Sequence, residues 1–224
     1  MVAVLIVSGA CSNTEGRKTA QSQPLADGTG VGSGGAGANL GGDGEFLHDL
    51  AGKNLAEIEL SRMALNRATS PQVKTFAQMM IDEHAATETA LKSVVSGQSF
   101  AWPTQLDDKH RDAAEDLGKR QGAEFDREYV KAMIEGHQNL AAKLEARLDV
   151  KSLEEWKTNA AGRTQGKMMP EPKAQMADVK VRPNSSDNAL TKKVNEWAAE
   201  TYPVVQKHLD TARALENAAK GSSD

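Results

Sequence analysis

Four stretches of the chain carry apolar residues at steps of three and four, the period of an amphipathic α-helix. They cover residues 45–68, 70–97, 124–149 and 186–219. A weaker helical pattern covers residues 105–117, and no stretch shows the strict alternation that is typical of a strand. The pattern predicts an all-α protein in which four long helices form one bundle over residues 45–219.

Local signals indicate where these helices begin and where they are interrupted. Ser70 followed by Pro71 is typical of an N-cap and a first helical position, so the second helix should begin there. Asp43 is expected to cap the first helix. Pro203 falls inside the fourth stretch, where it removes a backbone hydrogen bond and predicts a kink. Residues 151–186 contain glycines, prolines and few large apolar side chains, which predicts a loop-rich insertion.

The first 44 residues differ in composition from the rest of the chain. Residues 1–11 form an apolar, signal-like segment that ends in Cys11, the only cysteine, as a lipoprotein signal does. Residues 12–44 are rich in Gly and Ser and predict a disordered, flexible tether, and residues 220–224 form a short tail. Cys11 is therefore the candidate lipid anchor. The alternative is a mature N-terminus that happens to be apolar.

A lipid anchor implies export to the bacterial envelope. Ser12 follows the cysteine, and a residue other than Asp at this position resembles the signature of lipoproteins that proceed to the outer membrane of Gram-negative bacteria. The expected location is therefore the periplasm, with the membrane as a partner through the anchor. The formal net charge is −4 with both signs intermixed, so the chain lacks the basic face that nucleic acid requires.

Three histidines lie near the middle of predicted helices, each on or beside the apolar face. They are His84, His137 and His208. In an antiparallel bundle mid-helix positions meet at one level, so these imidazoles could converge to within about 8 Å, close enough to share an ion. Glu57 occupies the matching position of the first helix. Imidazoles with a carboxylate suit a divalent zinc, iron or manganese ion. The alternative is three ordinary core histidines.

Other polar and sulfur-containing residues are less suited to this site. Asp126 lies eleven residues before His137, about 16 Å along a helix axis, so the two cannot bind one ion. Asp126 and Tyr129 are expected to form a structural pair near the start of their helix. Glu83 and Glu135 are expected to point away from the centre. Methionine pairs at 79–80 and 168–169 leave copper as an alternative metal.

The order of several motifs resembles a known bacterial family. AEIELSRMAL contains Glu57, FAQMMIDEH ends at His84, FDREYV precedes EGH at His137, and YPVVQKHL contains His208. This order is similar to that of domain of unknown function 4142, which is found in predicted exported or outer-membrane proteins and is grouped with ferritin-like bundles. The resemblance implies that the signature positions are Glu57, His84, Asp126, Tyr129, His137, Pro203 and His208.

The resemblance also implies a ferritin-like four-helix bundle with a long crossover between helices two and three, and residues 97–122 are long enough for one. The chain departs from ferritin di-iron sites, which use Glu-x-x-His, because Ile81 and Ile134 stand three residues before His84 and His137. Ferroxidase chemistry is therefore not expected.

Three functions remain open at this point. The first is a non-enzymatic, envelope-anchored module that binds a metal ion or a protein partner. The second is a metal-dependent enzyme or an oxidant-scavenging protein that uses the four mid-helix residues. The third is a structural or stress-related lipoprotein without a site.

Overall fold

A computed structural model describes residues 40–164 and 179–221. Six helices account for 79% of these residues, which confirms the all-α class. They are α1 Gly42–Arg67, α2 Pro71–Val94, α3 Asp108–Gly118, α4 Gly122–Glu145, α5 Val150–Thr164 and α6 Ala189–Gly221. The described part contains no strand, only an isolated antiparallel bridge between Leu148 and Pro183. The signal-like segment with Cys11, the tether up to residue 39 and the end of the tail lie outside the described residues.

The four long helices contact one another in a cyclic order. Helix α1 packs against α2 and α4, and α6 packs against α4 and α2. The short helix α3 lies in the connection between α2 and α4 and contacts α1 and α4. No helix in the described ranges is long and apolar enough to cross a membrane.

Two apolar clusters hold the long helices together. Along the length of the helices, a polar layer separates one cluster from the other. One cluster includes Leu47, Leu50, Leu91, Leu140, Leu144, Val194, Trp197, Tyr202 and Val205. The other includes Ala64, Phe76, Met80, Phe125, Tyr129, Met133 and Ala212. Each of α2, α4 and α6 contributes residues to both clusters and places its mid-helix histidine between them.

The ends of α1 and α2 illustrate one wrong and one confirmed expectation. Helix α1 begins at Gly42, so Asp43 lies inside it and is not its cap. Asp43 instead pairs with Arg147 and accepts a hydrogen bond from Thr191, which ties α1 to the end of α4 and to α6. Ser70 caps α2 by accepting a hydrogen bond from the Val73 amide, as predicted.

The segment between α4 and α6 differs from the predicted loop. Residues 150–164 form α5, so the prediction of a loop over 151–186 is wrong for its first part. The Ser152 amide donates to the Asp149 carboxylate at the start of α5, and buried Leu153 joins the first apolar cluster. This spacing of a capping residue and an apolar residue is a helix signal that the surrounding glycines and prolines obscure. Pro203 lies inside α6, as predicted.

Candidate metal centre

The three mid-helix histidines meet in the layer between the apolar clusters. The ring centroids of His84 and His137 lie 5.6 Å apart, those of His84 and His208 5.6 Å, and those of His137 and His208 5.2 Å. These distances are within the 8 Å required for a shared ion, so the predicted convergence is confirmed. One ligand nitrogen of each ring lies within 4.8 Å of the others. The side chains come from α2, α4 and α6, and all three are buried.

Two of the rings donate a hydrogen bond away from the cluster. His137 Nδ1 donates to the Met133 carbonyl oxygen over 2.8 Å, because a carbonyl oxygen can only accept. His84 Nδ1 lies 2.9 Å from Oδ1 of Asn54, which likewise accepts. Each neutral ring therefore keeps its lone pair on Nε2.

The third ring is oriented by a residue that sequence reasoning assigned wrongly. Glu83 was expected to point away from the centre, but its Oε2 accepts a hydrogen bond from His208 Nε2 over 2.8 Å. Its Oε1 accepts another from Lys207 over 2.9 Å. The lone pair of neutral His208 is therefore on Nδ1. All three rings thus have an outer hydrogen-bond partner, an arrangement typical of metal-ligating histidines.

The inner nitrogens face acceptors and not donors. His137 Nε2 lies 3.1 Å from His208 Nδ1. His84 Nε2 lies 3.1 Å from Oε2 of Glu57, and among the described residues both of these buried atoms lack a hydrogen-bond partner. Lone pairs that face each other in a buried layer are unfavourable unless a proton or a cation lies between them.

Glu57 reaches this layer through close packing against α4. Its Oε1 lies 3.6 Å from His137 Nδ1, and its side chain is almost completely buried. A Cβ atom added to Gly136 would lie only 2.6 Å from Oε1. The glycine of the EGH motif therefore provides the space that the carboxylate occupies.

Burial controls the charge of these groups. Desolvation, together with neighbouring His137 and His208, lowers the pKa of His84 to about 3. Desolvation also lowers the pKa of His208, against the opposing effect of the Glu83 hydrogen bond. Desolvation raises the pKa of Glu57, partly offset by His137. Burial thus favours the neutral imidazoles of His84 and His208, and neutral imidazole is the form in which histidine binds metal.

The donor set fits a divalent ion. Ligand bonds of about 2.0–2.1 Å in a tetrahedral arrangement place neighbouring ligand atoms about 3.3–3.4 Å apart. The two closest ligand pairs, His137 with His208 and His84 with Glu57, are each 3.1 Å apart. The group whose ligand atoms all lie within 4.8 Å of one another consists of the three imidazoles, and Glu57 adjoins it through His84 Nε2. Imidazoles with a neighbouring carboxylate suit zinc, iron or manganese. The copper alternative has less support, because Met80 and Met133 belong to an apolar cluster.

Asp126 and Tyr129 lie away from this layer and have separate roles. Asp126 accepts hydrogen bonds from the amides of Thr69 and Ser70 over 3.0 and 2.8 Å, so it stabilises the start of α2 and not its own helix. The Tyr129 hydroxyl bonds to Ser61 over 2.9 Å. The expectation that the two side chains pair with each other is therefore wrong, since each has a partner on another part of the chain.

The remaining histidines fall outside the cluster. His48 is exposed and contacts the Phe100 ring edge-on, and half-buried His110 lies 2.9 Å from the carboxylate of Asp107. Glu135 is exposed. Sequence reasoning missed Asn54 as a partner of His84, although it lies three residues before Glu57 and hence on the same face of α1.

The chain matches a known protein family. The model of the family described as Domain of unknown function (DUF4142) matches residues 31–166, more than half of the chain. Glu57, His84 and His137 lie within the matched residues, and His208 lies beyond them. No curated protein and no solved structure matches the chain.

Proposed function

Because the chain belongs to the DUF4142 family, whose description names no activity, we propose a function from the buried site itself. The protein is a helical metal-binding module that holds one divalent ion with Glu57, His84, His137 and His208. One observation carries this proposal: two buried acceptors face each other. His84 Nε2 and Glu57 Oε2 lie 3.1 Å apart and make no hydrogen bond to any described residue.

A cation between the facing lone pairs would relieve their unfavourable contact more completely than added protons would. One proton on Glu57 could serve the pair with His84, but the lone pairs of His137 and His208 would still face each other at 3.1 Å. A second proton would place an imidazolium in a buried layer, where burial already lowers the pKa of His208. A divalent ion would accept lone pairs from the three imidazoles, whose ligand nitrogens lie within 4.8 Å of one another, and from Glu57 beside His84.

The outer partners support the same function. Asn54, Glu83 and the Met133 carbonyl each accept from the outer nitrogen of one ring and so fix which nitrogen faces inward. Such partners set the tautomer and the orientation of ligating histidines before the ion arrives. Zinc, iron and manganese are the ions that this mixture of imidazole and carboxylate suits.

We also propose a fold family and a cellular location for this module. The cyclic contacts of α1, α2, α6 and α4 support a ferritin-like four-helix bundle, with α3 inside the crossover from α2 to α4. The apolar segment that ends in Cys11 supports export and lipid anchoring to the outer membrane, with the membrane and a periplasmic protein as partners. The absence of Glu-x-x-His before His84 and His137 argues against a ferroxidase.

Metal titration of the purified full-length chain in detergent tests the proposal. We expect one zinc, iron or manganese ion per chain, measured by elemental analysis and by competition with a chromophoric chelator. His84→Ala and His137→Ala should each abolish stoichiometric binding, whereas the exposed control His48→Ala should not. Substoichiometric metal in the wild type, with both site variants as stable as the wild type, would leave a structural protein without a site.

A metal-dependent enzyme or oxidant scavenger is the second candidate, and one observation favours it. A small cavity reaches Glu57, His84 and His208, so an external molecule could approach the ion. The test compares peroxide consumption by the metal-loaded chain with that of the same concentration of free ion. A rate no higher than that of the free ion would leave the binding module as the function.

A further inference from the structure

A small cavity adjoins the histidine cluster between α1, α2 and α6. Its walls are mainly apolar and include Leu50, Leu91, Trp102, Leu140, Trp197 and Val205. Glu57, His84 and His208 line the same cavity. The volume of the cavity is about 30 Å³, and one water molecule needs about 10–15 Å³ by the same measure. The cavity therefore has room for a molecule of two or three heavy atoms.

Trp197 lines this cavity and has a buried donor without a partner. Trp197 is 6% exposed, and its indole nitrogen makes no hydrogen bond to any described residue. An indole N–H can only donate, and a buried donor without an acceptor is unfavourable. The cavity thus combines an unpaired donor with the side of the cluster on which Glu57 and His84 lack partners.

The charge of the loaded centre indicates the class of ligand. Three neutral imidazoles, one carboxylate and a divalent ion have a net charge of about +1, and a buried net charge is unfavourable unless it is compensated. A small monoanion would neutralise this charge and accept the indole hydrogen bond. Lys53 lines the cavity but is already paired with Asp49, so it does not compete for the anion.

On the basis of the proposed function, we propose that the cavity binds a monoanion of two or three heavy atoms as an additional ligand of the metal ion, hydrogen-bonded to Trp197. Thr87, Glu88 and Trp102 line the cavity and are half-buried, so they mark the route to solvent. The apolar walls and the small volume exclude larger oxyanions such as phosphate.

Azide binding to the cobalt-loaded chain tests this inference, because the visible absorption of Co²⁺ reports its coordination without any turnover. Azide should change the spectrum saturably, and phosphate should not. Trp197→Phe removes the N–H but keeps a ring in place, and we expect it to weaken azide binding about ten- to hundredfold, the value of a hydrogen bond to a charged group. Trp156→Phe, in a tryptophan outside the cavity, should leave azide binding unchanged.

A second variant keeps the test decisive if Trp197→Phe does not fold. Leu91→Phe adds bulk to the cavity wall and replaces no ligand residue, so it should retain cobalt but lose azide binding. Stoichiometric cobalt with no azide response, or equal azide affinity in Trp197→Phe and the wild type, would overturn the inference and leave the metal site intact. Failure of cobalt to bind would overturn the proposed function itself.

Discussion

Gly136→Ala should separate the metal affinity of this protein from its stability. The residue lies inside α4, where alanine is favoured over glycine by about 1 kcal/mol. The new Cβ atom would lie 2.6 Å from Oε1 of Glu57 and 3.7 Å from its Cδ. Carbon and oxygen atoms in proteins rarely approach closer than about 3.3 Å, so the oxygen must retreat by roughly 0.7 Å.

The consequence differs between the metal-free and the metal-bound protein. The carboxylate is the far end of a flexible side chain, so without metal it can turn aside and the variant should be as stable as the wild type, or up to about 1 kcal/mol more stable. Ligand distances tolerate only about 0.2 Å, so the displaced carboxylate should coordinate poorly. We expect metal affinity to fall at least about tenfold, or 1.4 kcal/mol.

The assay is urea unfolding in chelator for stability, combined with chelator competition for affinity. Gly52→Ala is the matched control, because Gly52 lies inside α1 and an added Cβ would meet nothing within 4 Å. The control should gain helix stability and keep wild-type metal affinity. If Gly136→Ala also bound metal with wild-type affinity, the assignment of Glu57 as a ligand would be refuted.

Three further predictions concern the surroundings of the site. Ser61→Ala or Tyr129→Phe should each cost about 1–3 kcal/mol in chemical unfolding, because each leaves a buried hydroxyl without its partner, and the double variant should cost less than the sum. Asp126→Ala should cost about 1–2 kcal/mol by removing the acceptor of two amides at the start of α2, with metal binding unchanged. Burial raises the pKa of Asp49, but hydrogen bonds from two lysines outweigh burial, so the pKa in the folded protein lies below the unfolded value of 3.8. The stabilisation of the fold by ionised Asp49 is therefore present above pH 3.8 and is lost as the pH falls through the folded pKa. Asp49→Asn should therefore destabilise by less than about 1 kcal/mol at neutral pH and show a weaker loss of stability on acidification below about pH 4.

The helices and the level of the site were predictable because both depend on one-dimensional periodicity. His84, His137 and His208 lie mid-helix between apolar residues that face the core, and helices packed side by side bring such positions together. Helix α5 was missed for a local reason. Leu153 and Trp156 are too few apolar residues to produce a clear period beside the glycines and prolines that follow.

To predict that Glu83 is the partner of His208, one must know how α2 is rotated relative to its two neighbouring helices. Helix α2 contacts both α1 and α6, and consecutive helical residues point about 100° apart. His84 can therefore approach Asn54 on α1 while Glu83, one residue earlier, approaches His208 on α6. Sequence periodicity identifies the buried face of a helix but not which neighbour each flank of that face meets, so Glu83 was expected to point away.

This rotation also bears on whether the histidines are ordinary core residues. A core histidine is stable when both ring nitrogens are satisfied, and three isolated histidines would each need an inner donor as well as an outer acceptor. Here every ring has an outer acceptor, and the inner atoms face another imidazole or a carboxylate. Apolar substitution in an ordinary core would remove these unfavourable contacts at little cost. If His84→Leu raised the stability of the chelator-treated protein while abolishing metal binding, the cluster would be retained for its ligand and not for the fold.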